Sequence, residues 1–252
     1  MSVKLAAVVL TCNEERYIVD CVRSVSWADD VVVLDTCSTD RTVELAEAQG
    51  ARVIEHAFEN FAQIRNVALD LVPAEWILFV DADERATPEL ADEIAAELRA
   101  PRADGYWIPR HNYIFGRLTR GAGWFPDYQM RLLRRARARY DPDRKVHEVV
   151  ILDGDEAYLQ NVLVHLNYDT LAQFQRKQAR YLEYDAQILH ERGVRPRPHT
   201  YLTQPLRHFW WRFVTLRGYV DGLHGLRLSA LMAWYEFRKY ARLRALSRPT
   251  AR

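Results

Sequence analysis

The first hundred residues alternate between short apolar runs and segments in which apolar side chains recur at helical spacing. Four runs are strand-like: LAAVVL (5–10), VVVLD (31–35), ARVIEH (51–56) and WILFVD (76–81). Helical patterns lie between them at 14–26, 40–49 and 61–71. This order predicts an α/β fold whose mostly parallel sheet has helices on both faces.

Polar side chains follow three of these runs at the point where each predicted strand ends. Thr11 and Asn13 follow the first run, Asp35 ends the second, and Asp81 and Asp83 follow the fourth. The carboxyl ends of parallel strands share one edge of the sheet, and ligands bind there in open α/β sheets. We therefore expect the three polar clusters to form one binding site.

The pair Asp81 and Asp83 has the spacing with which two carboxylates share one hard cation. Mg²⁺ prefers few protein carboxylates and completes its shell with water and phosphate oxygens. A structural alternative is that the two aspartates only cap the turn that follows the strand.

The segment LDTCSTDRT (34–42) adds a second set of polar residues. Asp40 is predicted to cap the next helix. Asp35 has no predicted capping role, and we expect it to accept a hydrogen bond from a nucleobase. Arg65, in AQIRNVAL (62–69), is either a solvated surface residue or a partner for a diphosphate.

The motifs TCNEE, VVLDTCSTDRT, IRNVAL and FVDADE, in this order and spacing, resemble the family 2 inverting glycosyltransferases with the GT-A fold. The resemblance covers roughly residues 3–100. More weakly, QMRLLRR, KVHEVV, LVHLNY and DGLHG resemble the branch that includes lipopolysaccharide-core glucosyltransferases.

The resemblance implies a nucleotide-sugar donor, UDP-linked in many members, and Mg²⁺ or Mn²⁺ as cofactor. It places Asp83 and Asp81 at the metal, and it implies a donor site formed by Thr11, Asn13, Glu14, Asp35, Ser38, Arg65, Asp81 and Asp83. One residue departs from the pattern, because Cys12 stands where many members have a Tyr that stacks on the base.

Inverting transfer needs a base that takes the proton of the acceptor hydroxyl. In KVHEVV (145–150), alternation puts His147 and Glu148 on opposite faces of an extended segment. Glu148 fits this family branch as the base, and His147 is the alternative. On a neighbouring predicted strand, Gln129 and Arg131 share a face and are expected to contact acceptor or phosphate, or to form a sheet-edge salt bridge.

The C-terminal segment is basic. Residues 195–252 contain eleven Arg and one Lys against two acidic residues, a net charge of +10 in a chain whose total is +1. We predict two amphipathic helices here, the first with Phe209, Trp210, Phe213 and Val220 on one side and the second from about Leu226 to Leu243. Such helices either lie in a membrane interface, which we favour for residues 199–252, or fold against the catalytic domain.

The remaining composition indicates a reduced, cytoplasmic protein. Its three cysteines fit neither a zinc spacing nor a redox CxxC motif, and we identify no signal peptide or bilayer-spanning segment. The breaker RPRP (195–198) predicts a boundary between a catalytic domain (1–194) and a helical extension (195–252).

The sequence therefore predicts a glycosyltransferase at the inner face of the cytoplasmic membrane. It would move a sugar, with UDP-glucose as a candidate donor, to a lipid-linked glycan such as lipopolysaccharide core. One alternative is a phosphohydrolase of the haloacid-dehalogenase type, which also uses a DxD pair but has Thr or Val where this chain has Arg85. The other is a non-enzymatic basic adaptor for membrane or nucleic acid, although no nucleic-acid-binding motif accompanies the arginines.

Overall fold

A computed structural model of the chain describes residues 3–58, 60–141 and 150–247. The strands are β1 Val3–Thr11, β2 Asp30–Asp35, β3 Arg52–Glu55, β4 Ala74–Asp81, β5 Glu84–Ala86, β6 Gly105–Ile114, β7 Arg117–Leu118, β8 Asp127–Arg134, β9 Ala138–Tyr140, β10 Val150–Leu152, β11 Glu156–Tyr158 and β12 Leu163–Tyr168. The helices are α1 Ile18–Ser24, α2 Thr42–Glu47, α3 Phe61–Leu71, α4 Pro88–Glu97, α5 Leu171–Glu191, α6 Thr200–Trp210 and α7 Gly222–Leu246.

The chain divides into two compact units. The first contains the residues up to Arg110 together with Tyr128–His165, and the second contains His111–Asp127 and the residues from Leu166 onward. The predicted boundary at residue 195 lies inside the second unit, because α5 packs against α7 and the two helices share an apolar cluster that includes Phe174 and Tyr235.

The first unit is built on the predicted parallel sheet. Strands β3, β2, β1 and β4 are adjacent in that order and parallel, and β8 continues the sheet antiparallel to β4. Alternate residues of β1 enter two separate apolar clusters, Ala7 and Val9 on one face and Ala6 and Val8 on the other. Both faces of β1 are therefore buried, which explains why its sequence is continuously apolar.

Strand register brings the predicted polar residues to one edge. Thr11 lies opposite Asp35 across β1 and β2, and Leu10 lies opposite Asp81 across β1 and β4. Near this edge, β5 pairs antiparallel with β12 so that Glu84 lies opposite His165. Thr87 caps α4, because its hydroxyl accepts the Leu90 N–H at 3.2 Å.

The second unit contains α5, α6 and α7 and the loop that follows β6. The motif DGLHG (221–225) has a structural role here: the Asp221 carboxylate accepts hydrogen bonds from the N–H groups of Arg120 and Gly121 at 2.7–3.1 Å. A Cβ on Gly225 would lie 1.8 Å from the Gly218 carbonyl oxygen, so no larger residue fits at that position.

The prediction that Phe209, Trp210, Phe213 and Val220 share one side of a single helix was wrong. Helix α6 ends at Trp210 and is followed by a π-helical turn, Trp211–Thr215, and a 3-10 turn, Gly218–Asp221. Val220 therefore belongs to another element. Phe209 and Phe213 stack on each other at 5.5 Å and are half-buried, whereas Trp210 is exposed.

None of the helices within the described residues combines the length and the apolarity that a bilayer-spanning helix needs.

Candidate active site

The turn between β4 and β5 carries the sequence Asp81-Ala82-Asp83-Glu84 and forms the centre of the site. Glu84 is fully buried, and its Oε2 atom accepts the Asp81 N–H at 3.0 Å. This hydrogen bond fixes the turn and holds the Asp81 carboxylate at the sheet edge, where a third of its side chain stays exposed. The Glu84 carboxylate, the third in this acidic turn, therefore fixes the conformation of the turn.

Three arginines from three different elements surround these carboxylates; we call Asp81, Glu84, Arg65, Arg110 and Arg131 the charge cluster. Arg131, on β8, donates to both carboxylate oxygens of Asp81 and, at 3.0 Å, to Glu84 Oε1. Arg110, at the end of the first unit on β6, donates to the same Glu84 atom at 2.9 Å. Arg65, on α3, lies 3.4 Å from Asp81 Oδ1. Three guanidinium groups against two carboxylates leave a net charge of +1.

The charge cluster controls the protonation states of its members. Burial alone would raise the pKa of Asp81, but Arg131 and Arg65 outweigh it and hold that pKa well below its usual range. Burial would lower the pKa of Arg131, whereas Asp81 and Glu84 raise it above its ordinary value. Arg65 has a lowered pKa because it is buried and because Arg131 repels it. Asp81 is thus ionised at every physiological pH.

Asp83 lies apart from the arginine contacts of Asp81. Its Oδ2 atom is 3.4 Å from His165 Nε2, and both side chains lie close to the edge formed by β5 and β12. A carboxylate and an imidazole are suitable ligands for a divalent cation that takes its other ligands from water and phosphate. Within residues 3–58, 60–141 and 150–247, no group of three or more His, Cys, Asp and Glu side chains is arranged as a metal site. Among the described residues, Asp83 and His165 are therefore the candidate ligand pair.

Asp35 does have the local capping role that the sequence did not reveal. Its Oδ2 accepts the Ser38 N–H at 2.7 Å, and its Oδ1 accepts the Ser38 hydroxyl at 2.5 Å. These bonds close the turn after β2, and Asp35 is almost completely buried. Thr11 lies beside it, and its buried hydroxyl has no hydrogen-bond partner among the described residues. A carboxylate oxygen accepts more than one hydrogen bond, so the pair can still bind a ligand.

The loops after β1 and β2 are tied together by the other predicted residues. Asn13 adopts a positive φ of 55°, its N–H donates to Ser38 Oγ at 2.7 Å, and its side-chain oxygen accepts the Thr39 N–H at 2.8 Å. The Glu14 N–H donates to Thr42 Oγ1 at 2.8 Å. These contacts hold the strand-end loops in one arrangement.

The structure brings together most residues that the sequence predicted, and adds three. Asp81 joins Arg65, and Thr11 joins Asp35 and Ser38. Arg131, predicted as a phosphate contact or an edge salt bridge, forms a buried salt bridge inside the sheet. Glu84, Arg110 and His165 had not been identified. His147 and Glu148 lie outside the described residues, so their roles stay predictions.

The parallel sheet with polar residues along its carboxyl edge has the GT-A fold. The profile of the family described as "Glycosyl transferase family 2" matches residues 6–151, more than half of the chain. The chain therefore belongs to glycosyl transferase family 2, which favours the enzyme prediction over the phosphohydrolase and the adaptor.

Relatives match almost the whole chain. The "Lipopolysaccharide core biosynthesis glycosyltransferase LpsC" of Rhizobium meliloti (strain 1021) is 27% identical over 260 residues, covering 94% of this chain and 93% of LpsC. An uncharacterized glycosyltransferase of Rickettsia bellii (strain RML369-C) is 28% identical, covering 97% and 87% of the two chains. The crystal structure of S. aureus TarS 1-349 in complex with UDP has a TM-score of 0.51 at 16% identity, covering 95% of this chain and 91% of that chain. This last likeness shows a shared fold.

Proposed function

We propose that the protein transfers a sugar from a UDP-linked donor to a lipid-linked glycan such as lipopolysaccharide core, with inversion at the anomeric carbon. The charge cluster is the observation that carries the proposal. A diphosphate is doubly charged or more, and a preorganised cluster with a net charge of +1 at the carboxyl edge of the sheet offers it a partner.

Donor recognition would divide between two parts of the edge. Thr11 and Asp35 would bind the nucleobase, because a buried hydroxyl without a partner and a buried carboxylate lie together there. Ser38, Asn13 and Glu14 would act through the loop backbone that they fix. Arg65 would bind the diphosphate from α3. The UDP complex of TarS makes UDP the first nucleotide to test.

A divalent cation, Mg²⁺ or Mn²⁺, would be held by Asp83 and His165 with Asp81 nearby. When bound, the cation would stabilise negative charge on the departing diphosphate. Asp81 would contribute chiefly by orienting Arg131 and Arg65, since its carboxylate is already engaged by both guanidinium groups.

The acceptor hydroxyl would lose its proton to Glu148, with His147 as the alternative base. The similarity to LpsC along nearly the full length supports lipopolysaccharide core as the acceptor class. An acceptor anchored in a lipid requires an enzyme at the membrane surface. We therefore propose that residues 199–252 hold the protein at the inner face of the cytoplasmic membrane, where their positive charge meets anionic lipid.

Ligand-induced thermal stabilisation tests donor and metal together. UDP, UDP-glucose, UDP-N-acetylglucosamine and GDP are compared with Mn²⁺, with Mg²⁺ and with EDTA. A preferred nucleotide at a hundredfold excess over its Kd should stabilise the protein by about 2.7 kcal/mol. Asp83→Asn should lose the metal-dependent part, while Asp153→Asn, which changes an exposed carboxylate of the same unit, should behave as wild type.

Two outcomes contradict the proposal in different ways. Equal stabilisation in EDTA and in Mn²⁺ would remove the metal from it. No response to any nucleotide, in a protein that remains folded, would remove the donor site itself.

A further inference from the structure

Helix α6 carries a stripe of exposed apolar side chains. Leu202, Leu206 and Trp210 lie four residues apart, and 66%, 58% and 64% of their surfaces are exposed. Residues at this spacing share one face of a helix. We call these three residues the α6 stripe. Scattered exposed leucines are ordinary, but three large apolar side chains in one row form a patch that calls for a partner.

The α6 stripe is not the surface that packs α6 inside the second unit. Other residues of α6 make those contacts: Tyr201 packs edge-on against Phe237 of α7 at 6.2 Å, and His208 lies 3.9 Å from Glu236. The helix therefore has one face that packs against α7 and another that exposes the stripe.

The segment that contains α6 is rich in exposed cations, and its acidic groups are engaged elsewhere. Residues 200–246 contain seven Arg and one Lys against two acids, a net charge of +6. Arg207 and Arg217 are exposed. Glu236 pairs with Lys239 at 2.6 Å, and Asp221 binds backbone N–H groups of the preceding loop. The surface thus combines apolar side chains with uncompensated positive charge.

We propose that the α6 stripe inserts into the headgroup and upper acyl region of an anionic bilayer, with α6 lying in the plane of the membrane and Arg207 and Arg217 contacting lipid phosphates. This inference rests on the proposed membrane location and specifies the surface responsible. Eleven residues of helix span only about 16 Å, too short to cross a bilayer but long enough to lie on it.

A second copy of the chain is the competing occupant of this face. In a two-fold dimer the same patch faces itself, so the positive charges that flank the α6 stripe would be brought together. Anionic lipid instead neutralises these charges, and each Lys or Arg near such a surface contributes to binding. Charge complementarity therefore favours the bilayer.

Vesicle binding of the full-length protein tests the inference. Vesicles of phosphatidylcholine alone are compared with vesicles of equal parts phosphatidylcholine and phosphatidylglycerol. Replacing Leu202, Leu206 and Trp210 together by Ser should lower the partition coefficient on mixed vesicles on the order of 100-fold, because three apolar side chains no longer leave water. The matched control is Leu71→Ser, which changes a similarly exposed leucine on α3 and should bind as wild type.

Two further variants separate the contributions. Replacing Arg207 and Arg217 by Gln should lower binding to mixed vesicles on the order of tenfold and leave binding to pure phosphatidylcholine unchanged. Trp210→Phe keeps an apolar side chain and removes a reporter. It should bind vesicles normally. Its remaining tryptophan fluorescence should be quenched less by brominated acyl chains than that of the control variant Trp27→Phe, which keeps Trp210.

The outcomes distinguish this inference from the proposed reaction. Wild-type affinity in the triple Ser variant overturns the inference, as does a wild-type dimer that this variant converts to a monomer with unchanged vesicle binding. UDP stabilisation should be the same in all these variants. If the triple Ser variant loses vesicle binding and the wild-type protein shows no stabilisation by any nucleotide, the inference is upheld and the proposed donor site is rejected.

Discussion

The charge cluster of the first unit and the α6 stripe of the second depart from ordinary burial in opposite directions. At the cluster, five charged side chains are wholly or largely withdrawn from water. At the stripe, three large apolar side chains are left in water. Charged residues are rarely buried without partners, and contiguous apolar patches are rarely exposed on monomeric proteins.

The difference concerns what each region lacks. Every carboxylate of the charge cluster has guanidinium partners within the first unit, and the cluster as a whole has one positive charge in excess. The α6 stripe has polar and cationic neighbours, but its own apolar surface is left uncovered. The first region therefore fits a small anionic ligand, and the second fits an extended apolar surface with negative charge at its boundary.

Replacement of Glu148 by Gln should have the largest effect on activity. The variant keeps the shape of the side chain and removes its basicity, so kcat should fall by about 10² to 10⁴. Donor affinity should stay nearly unchanged, because the proposed donor site lies at the strand-end edge of the first unit. Steady-state kinetics together with UDP binding measure the two quantities separately.

His147→Gln is the matched control for this experiment. Loss of transfer in the His147 variant with retention in the Glu148 variant would reverse the assigned roles. If both variants lost donor binding as well, the segment would belong to the nucleotide site, and Asp127 and Asp141 would be the next candidates for the base.

Replacement of Arg131 by Met should have the largest effect on stability. The change leaves Asp81 and Glu84 with weaker pairing in a buried place, and breaking a buried ion pair costs about 3 to 5 kcal/mol. Arg134→Met is the control on the same strand, since Arg134 pairs with Glu75 and Asp104 but is 34% exposed. Its effect should stay below about 1 kcal/mol. Urea unfolding measures both, and equal losses would show that burial of the cluster is unimportant.

Much of the fold follows from patterns within short segments. The four apolar runs of the first hundred residues are local signals, and each was confirmed as a strand, β1 to β4. The sheet edge was also predictable, because the carboxyl ends of parallel strands must coincide.

The rest of the site depends on pairings that no short segment encodes. His165 reaches Asp83 only because β12 pairs with β5, eighty residues earlier in the chain. Arg110 and Arg131 lie on strands whose order in the sheet departs from sequence order. Glu84 is fully buried beside these two arginines, and no short segment of the sequence encodes that pairing.

Mild acid should weaken the second unit before the first, and this prediction has the smallest expected effect. Burial, reinforced by Arg212, lowers the pKa of His208 to about 4, whereas an unfolded His titrates near 6.5; Glu236 opposes the shift, and Lys239 and Arg207 add to it.

Between these values the unfolded chain binds a proton that the folded chain does not, so stability falls as pH drops from about 6.5 to about 4. The pKa of Asp81 is lowered instead, so its contribution is complete above about 3.9 and is lost only at lower pH.

After allowance for its partial exposure, we expect His208 to account for about 1 to 2 kcal/mol. Hydrogen exchange at pH 7 and near pH 5 should show α6 and α7 losing protection while β1 and β4 keep theirs. His208→Gln should reduce this difference, because the only lowered histidine pKa values that then remain among the described residues of the second unit are those of His111 and His224. His199→Gln, which changes an exposed histidine just before α6, should leave the difference unchanged. Equal loss of protection in both units would contradict the prediction that mild acid acts first on the second unit through His208.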